Sequence, residues 1–281
     1  GLADSCIHAA IAAWQWAQKN PATPYNQNAI NQQFEPKITT GAYGDWTFTD
    51  EWFWAASELT ATTGADQYVD TIVSRWQDRI GVPTWNSVHL LGYYTLLRHQ
   101  SALQKKSRID FAAVRTRLLQ FADGLIANGG DRAYATIMGQ SRNDFVWGSS
   151  SVAMNQSIVL INAWLLTRQP KYAYAALSNL DYVLGRNATG YSFITGVGSK
   201  TPMHPHHRPS VADGIPEPVP GMLVGGPNPG QQDRCEGYPS RMPAESFLDH
   251  DCSYASNEIA INWNAPLVYV VNALEAILGN E

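Results

Sequence analysis

The chain is poor in charged residues, and this shortage excludes several classes of protein. Charged side chains make up 15% of its 281 residues, and acidic residues (24) outnumber basic ones (19). Globular proteins average about a quarter charged residues, and disordered or coiled-coil chains carry more. The absence of a basic excess removes the electrostatic reason to bind nucleic acid or an anionic membrane surface. No run approaches the roughly 20 apolar residues of a membrane span.

Cysteine is scarce as well. Three residues, Cys6, Cys235 and Cys252, are too few for a disulfide-rich scaffold. Cys235 and Cys252 lie 17 positions apart in a loop-rich region, and pairing between them and three free thiols both stay open. Residues 1–5 carry no charged segment followed by an apolar core, so they do not read as a signal peptide.

Aromatic residues are abundant, with 10 Trp and 13 Tyr. A sequence with many aromatic residues and few charged ones is typical of proteins that bind neutral ligands with flat faces, and sugars are the commonest such ligands. The length is enough for one large domain with a substantial core, and we expect a single domain over residues 1–281.

Apolar residues recur at helical spacing in about eight segments, and no series of strands is evident. The expected helices are 3–19, 49–64, 66–81, 87–99, 108–127, 150–167, 170–184 and 265–278. Short connections between most of them predict an all-α protein of antiparallel helix pairs. No repeat of fixed period is present.

Residues 185–256 differ from this helical pattern. The stretch of 72 residues holds 10 of the 16 prolines and 10 of the 22 glycines. Disorder would bring few aromatics and many charges, whereas Tyr191, Phe193, Tyr238 and Phe247 are interleaved here with His, Arg and Asp. We therefore expect an ordered loop region that builds a site.

The first chemically distinctive cluster lies in this region. Residues 192–200 are followed by His204-Pro-His206-His207-Arg208, and the rigid prolines present imidazole and guanidinium groups that can bond to sugar hydroxyls. Zinc binding is the main rival interpretation. It is disfavoured because His206 and His207 are adjacent and no cysteine or carboxylate stands at ligand spacing. A plain polar surface loop is the third interpretation.

The second cluster comprises residues 247–265, which precede an apolar helix. It holds Asp249, Asp251 and Glu258 together with several amides. One of these carboxyls is positioned to act as a general acid. The alternative is purely local: Asn257 and Glu258 begin a helix and Asn264 caps the next turn.

At these two clusters the chain resembles glycoside hydrolase family 9, the inverting cellulases. The first family signature is met by Ser192, Thr195, Gly198, Lys200, His206 and Arg208, and the second by Phe247, Asp249, Tyr254, Glu258, Ala260, Asn264 and Ala265. Similar stretches elsewhere include Gly44-Asp45, residues 50–56, Trp147-Gly148-Ser149 and residues 181–185. The likeness therefore extends over essentially the whole chain.

The resemblance implies roles for individual residues. Glu258 matches the general acid and Asp249 an acidic residue that supports the site, while His206 and Arg208 match a substrate-binding pair. Trp85, and more loosely Tyr43 and Trp46, match positions where family members stack aromatic rings under glucose units. Core packing is the alternative for each of them.

The resemblance also implies what this chain should lack. An inverting hydrolase needs a second carboxylate as base, and the family's Asp-x-Gly-Asp-like base motif has no acceptable match here. The family fold is an (α/α)6 barrel of twelve helices, of which about eight are predicted. We therefore expect the C-terminal two-thirds of a catalytic domain, whose N-terminal part with the base is a required partner in the same or a separate chain.

Three functional hypotheses follow. The first is an inverting endo-β-1,4-glucanase acting on a β-glucan. The second is an exo-acting family member, and the third is a non-catalytic carbohydrate-binding fragment. The resemblance implies an extracellular protein with no required cofactor, although it allows a structural calcium whose ligands the sequence does not place. Neither nucleic acid nor a membrane is expected as a partner.

Overall fold

The computed structural model describes residues 1–45, 47–105, 108–127 and 133–279. Numbered in chain order, its helices are α1 (Leu2–Lys19), α2 (Gln27–Gln33), α3 (Thr49–Thr63), α4 (Val69–Arg75), α5 (His89–Arg98), α6 (Gln100–Leu103), α7 (Phe111–Ile126), α8 (Ser149–Thr167), α9 (Pro170–Val183), α10 (Arg208–Ala212), α11 (Tyr254–Asn257) and α12 (Ile261–Leu278). Within the described residues, none of these helices is long and apolar enough to cross a bilayer.

All eight predicted helices are present, and most of their ends lie within two or three residues of the predicted positions. The four unpredicted helices, α2, α6, α10 and α11, have at most seven residues each, too few to show a periodic pattern. The helix predicted for 66–81 is shorter than expected: it is a 3₁₀ turn, Asp66–Tyr68, followed by α4.

The prediction for the start of the last helix was wrong. We expected it to begin at 265 with Pro266 in its first turn, but α12 begins at Ile261 and encloses Pro266. The first turn closes at Ala260, whose carbonyl accepts the backbone N–H groups of Trp263 and Asn264, each at 3.2 Å. Pro266 has no N–H for the carbonyl of Asn262, four residues earlier, so the helix continues past one missing bond.

The described helices fall into two compact units. The first comprises Gly1–Gly81 with Asn86–Arg115. Its core is aromatic: Trp14 of α1 packs edge-on against Trp52, with ring centroids 4.7 Å apart. Phe53 of α3 stacks on His89 of α5 at 4.2 Å. A Cβ at Gly92 would lie 2.6 Å from the Phe53 ring, so glycine lets α3 and α5 approach closely.

The second unit comprises Val82–Trp85 with Thr116–Glu281. Helix α8 is its centre and is buried on most sides, with Ala153, Met154 and Leu160 fully inaccessible. It packs against α9 and α12. Gly148, just before α8, has φ of 85° and faces the Trp263 ring of α12, which a Cβ would approach to 2.7 Å. Only glycine satisfies both constraints at this position.

Residues 185–256 form the irregular part of this unit, as predicted. Strand-like pairing in the described chain is limited to three isolated bridges, two of which join this region to the segment before α12: His206 with Glu258 and Val224 with Ile259. The third bridge, between Ile194 and Leu223, lies within the region. The loops are therefore tied to the helical core by backbone pairing rather than by a sheet.

A buried asparagine joins α9 to its surroundings. Asn179 is fully inaccessible. Its Oδ1 accepts the backbone N–H of Met138 at 2.7 Å, and its Nδ2 donates to the Ala153 carbonyl and to Gln156 Oε1, each at 3.0 Å. The Oδ1 oxygen and the Nδ2 group of this amide are both hydrogen-bonded, and these bonds hold α8, α9 and the segment that precedes α8 together.

We predict that Asn179→Ala lowers the free energy of unfolding by about 1–3 kcal/mol, since it leaves buried partners unsatisfied. Asn272→Ala is the matched control, because Asn272 is exposed and bonds only to a carbonyl of its own helix. Urea denaturation followed by tryptophan fluorescence measures both variants. Equal stability of the two would contradict the assignment of this network.

Candidate active site

Glu258 lies on a short extended link between α11 and α12, with φ of −71° and ψ of 152°. Backbone bonds fix the link on both sides. The N–H of His206 donates to the Asn257 carbonyl at 2.9 Å, and the N–H of Gly225 donates to the Glu258 carbonyl at 3.0 Å. The predicted acid is therefore placed by two loops that are distant in sequence, and the local alternative, in which it merely starts a helix, does not hold.

One carboxylate oxygen of Glu258 is held by a tryptophan. Trp147 Nε1 donates a hydrogen bond of 3.0 Å to Glu258 Oε2. The Trp147 ring lies 5.5 Å from the Tyr254 ring and keeps 39% of its surface exposed. Among the described residues no further side-chain hydrogen bond reaches this carboxyl, so Oε1 is left to interact with a ligand.

Asp249 connects the two sequence clusters. Its carboxylate accepts the backbone N–H groups of Met203 at 2.8 Å and His204 at 2.9 Å. It also accepts a bond of 3.2 Å from the amide of Asn257, whose Nδ2 donates in addition to the His204 carbonyl. With three donors around it, this carboxylate joins the loop of Met203 and His204 to Asn257 through charge-assisted bonds.

His206 is oriented by the second cluster. Its Nδ1 lies 2.6 Å from the carbonyl oxygen of Asp251. Because a carbonyl only accepts, Nδ1 carries the proton, and Nε2 is left to meet a ligand. The ring also leans against Tyr254, with centroids 5.6 Å apart. His206, Tyr254, Trp147 and Glu258 thus form one continuous group in the second unit.

The structure shows the exposure of three of the other predicted ligand-binding residues and does not describe the fourth. Arg208 is exposed at the start of α10, two residues after His206. Trp85 is 51% exposed and Tyr43 is 73% exposed, so neither is a core residue. Their roles under sugar rings stay predictions, and Tyr43 belongs to the first unit. Trp46 lies outside the described residues.

The loops that carry these residues are anchored by hydrogen bonds to Asp233 and by a disulfide. Asp233 Oδ2 accepts the Tyr238 hydroxyl at 2.7 Å and the Ala255 N–H at 2.8 Å. Burial raises the pKa of Tyr238, and the adjacent Asp233 carboxylate adds to the rise. A disulfide joins Cys235 to Cys252, which settles the pairing that the sequence left open.

Two contributors were not predicted. Trp147 was noted only as part of a family-like stretch, and Asn257 was interpreted as a helix start. In the structure Asn257 is fully buried and bridges Asp249 to the His204 carbonyl.

A structural calcium, which the resemblance allows, can be tested against the first unit. Asp45, Asp50 and Glu51 lie close enough there for their charges to interact. Burial, the hydrogen bond with Asp50 and repulsion by Asp50 and Asp45 raise the pKa of Glu51 from 4.5 to about 7. Within the described residues, Glu51 Oε2 is buried and has no hydrogen-bond partner. Calcium prefers ionised carboxylate oxygens, but the metal-ligating groups found among the described residues do not include these three acids, so the structure places no calcium site here.

A carboxyl held beside an exposed indole and an imidazole, on a framework of packed antiparallel helices, defines the kind of site that glycoside hydrolases use. The chain belongs to glycosyl hydrolase family 9, whose sequence profile matches residues 1–271. The expected fold class, an (α/α)6 barrel, is confirmed by the solved structures that it matches.

Individual relatives agree with this membership. The chain is 43% identical over 278 residues to a xyloglucan-specific endo-beta-1,4-glucanase of Bacteroides ovatus, covering 99% of this chain and 47% of that protein. It is 32% identical to endoglucanase D of Acetivibrio thermocellus, covering 96% and 40%. A thermostable endoglucanase from Alicyclobacillus acidocaldarius superposes with a TM-score of 0.85 at 33% identity, covering 98% and 50%.

The chain spans about half the length of the curated relatives that it matches.

The raised pKa of Glu51 predicts how the stability of the folded chain depends on pH. A carboxyl with a raised folded-state pKa keeps its proton when folded but releases it when unfolded, so stability falls as pH rises from about 4.5 towards 7. Glu51→Gln removes this titration. We expect the loss of stability between about pH 5 and about pH 8, measured by urea denaturation, to be smaller in this variant.

Glu35→Gln is the control, because the Glu35 side chain is 72% exposed. An unchanged pH dependence in Glu51→Gln would show that this carboxyl titrates normally.

Proposed function

We propose that this chain supplies the general acid, and part of the substrate groove, of an endo-β-1,4-glucanase. The proposal rests on the hydrogen bonding of the Glu258 carboxyl. Trp147 donates to one of its oxygens, and the other oxygen is left for a ligand. Asp249, by contrast, has both oxygens engaged by backbone donors.

The names of the relatives support this reaction and suggest a substrate. Endoglucanases recur among them, and one is named as specific for xyloglucan. Exposed rings at Trp147 and Trp85 suit β-glucans, whose sugar rings present flat C–H faces. We therefore propose a soluble β-1,4-glucan as substrate, with xyloglucan as the first to be tried.

The proposed chemistry is inverting hydrolysis. Glu258 gives its proton to the glycosidic oxygen as the bond from that oxygen to the anomeric carbon breaks. A water attacks the same carbon from the opposite face and passes a proton to a base carboxylate. That base should stand about 6.5–9.5 Å from the acid. We infer that it comes from polypeptide other than residues 1–281.

The remaining residues are proposed to bind and orient. His206 Nε2 and the Arg208 guanidinium offer hydrogen bonds to sugar hydroxyls near the cleavage point, and Trp85, Tyr43 and Trp46 are proposed to support rings. Asp249 acts through the backbone of residues 203–204 and through Asn257. No step in this proposal requires a cofactor.

We also propose that the protein is exported, and the Cys235–Cys252 disulfide supports this, since such bonds persist in oxidising compartments. Exo-action is the competing proposal, because a cellulose 1,4-beta-cellobiosidase also stands among the relatives at 30% identity. Early loss of viscosity of a long β-glucan indicates endo-action, whereas release of one short product from the start indicates exo-action.

The first test is Glu258→Gln in the enzyme that contains this chain. We expect kcat on a soluble β-1,4-glucan to fall by about 10²- to 10⁴-fold, since the amide has no proton to give, while the melting temperature stays unchanged. Glu245→Gln, at an exposed position outside the site, is the matched control. Full activity of Glu258→Gln would refute the acid assignment.

The second test concerns Trp147 as a positioning residue. Trp147→Phe keeps a ring but removes the N–H that holds Oε2, so the acid loses its fixed orientation. We expect kcat on the polysaccharide to fall by about 10- to 100-fold, the value of one hydrogen bond to a charged group. Aryl glycosides with good leaving groups, which need little protonation, should lose much less.

Trp164→Phe, in the same unit, should leave the ratio of the two rates unchanged. If Trp147→Phe slows both substrates equally, the indole contributes ring packing and does not position the acid.

A further inference from the structure

A cluster of metal-ligating side chains lies on the loops beside the candidate active site, in residues to which the proposed chemistry assigns no role. It consists of Cys235, His250 and Cys252. Their donor atoms, two sulfurs and one imidazole nitrogen, all lie within 4.8 Å of one another. The two cysteines are joined in a disulfide in this structure, with Cα atoms 5.7 Å apart.

We propose that Cys235, His250 and Cys252 form a redox-gated zinc site, closed while the disulfide is intact and able to bind zinc once it is reduced. Two thiolates and one imidazole are the donors that zinc selects, whereas calcium and magnesium require oxygen ligands. A water molecule would complete the tetrahedron. This inference does not depend on the glucanase activity.

The two states need little movement to interconvert. The sulfurs of a disulfide are about 2.0 Å apart, and two thiolates on one tetrahedral zinc, with bonds of about 2.3 Å, are about 3.7 Å apart. Rotation of the side chains supplies this difference. His250 and Cys252 are exposed and Cys235 is half-buried, so the surroundings leave room for it.

The ligand loops are held together by bonds other than the disulfide. The Asp233 carboxylate accepts the N–H of Cys235 at 3.0 Å and the N–H of Ala255 at 2.8 Å, so it joins the two loops directly. Ser253 Oγ donates to the carbonyl of His250 at 2.6 Å and fixes the turn that carries two of the ligands. Reduction should therefore leave the three donors in place.

The site would act on the substrate groove through one residue. His250 and Cys252 flank Asp251, whose carbonyl accepts the proton of His206 Nδ1. A metal bound by the flanking residues would add a restraint on this carbonyl, and so on the orientation of His206, beyond the bonds from Asp233 and Ser253.

The chemistry balances with a phosphine as reductant. The phosphine gives two electrons to the S–S bond and, with one water, yields a phosphine oxide and two thiols. Zinc then displaces the two thiol protons and takes the neutral imidazole as its third protein ligand.

The test uses the whole chain, reduced with a phosphine and freed of it without oxygen. Cobalt is added as a visible probe for zinc, and zinc affinity is measured by competition with a chromophoric chelator. We expect one metal per chain and a thiolate-to-cobalt charge-transfer band in the reduced chain only. His250→Ala should weaken zinc binding by at least about tenfold, as losses in metal sites usually do.

Cys6→Ser is the matched control, since Cys6 is exposed and unpaired with another cysteine, and it should behave as the parent. Zinc should also protect Cys235 and Cys252, but not Cys6, from alkylation mapped by mass spectrometry. The proposal is overturned if the reduced chain shows no thiolate-to-cobalt band, if His250→Ala binds zinc as tightly as the parent, or if the oxidised chain binds it equally well.

Discussion

The arrangement of the candidate site depends on the carboxylate of Asp249. It lies between two loops separated by more than forty residues and accepts hydrogen bonds from the backbone of Met203 and His204 and from the amide of Asn257. Charge-assisted bonds of this kind are about twice as strong as neutral ones. Because Asn257 precedes Glu258 and His204 precedes His206, the same carboxylate sets the positions of both.

Two acidic residues of one motif thus have opposite environments. Asp249 is surrounded by donors and is satisfied by the fold, whereas Glu258 receives a single bond from Trp147. Of the two, only Glu258 keeps an oxygen that no described side chain bonds, as the proposed acid role requires. The difference comes from hydrogen bonding and not from the side chains themselves, which differ by one methylene.

The same loops illustrate how irregular backbone is stabilised where no sheet is available. Residues 185–256 rely on isolated bridges, on the Asp233 carboxylate, on the disulfide and on the Asn264 amide, which receives the N–H of Leu223 at 2.8 Å. The bridges and the Asp233 and Asn264 side chains satisfy backbone groups that would otherwise lack partners, and the disulfide joins two loops covalently. The helices α8 and α12 supply the rigid base onto which these loops are fixed.

The sequence by itself determined the long helices, because apolar periodicity is a local property that persists over many turns. It also determined the family, through motifs of fixed spacing, and the same motifs single out Glu258 and Asp249 as the expected site carboxyls. The short helices, the early start of α12 at Ile261, the bond from Trp147 and the pairing of Cys235 with Cys252 were decided only by the tertiary structure. Each of these depends on contacts between residues far apart in the chain, and no local pattern records which distant donor will meet a given acceptor.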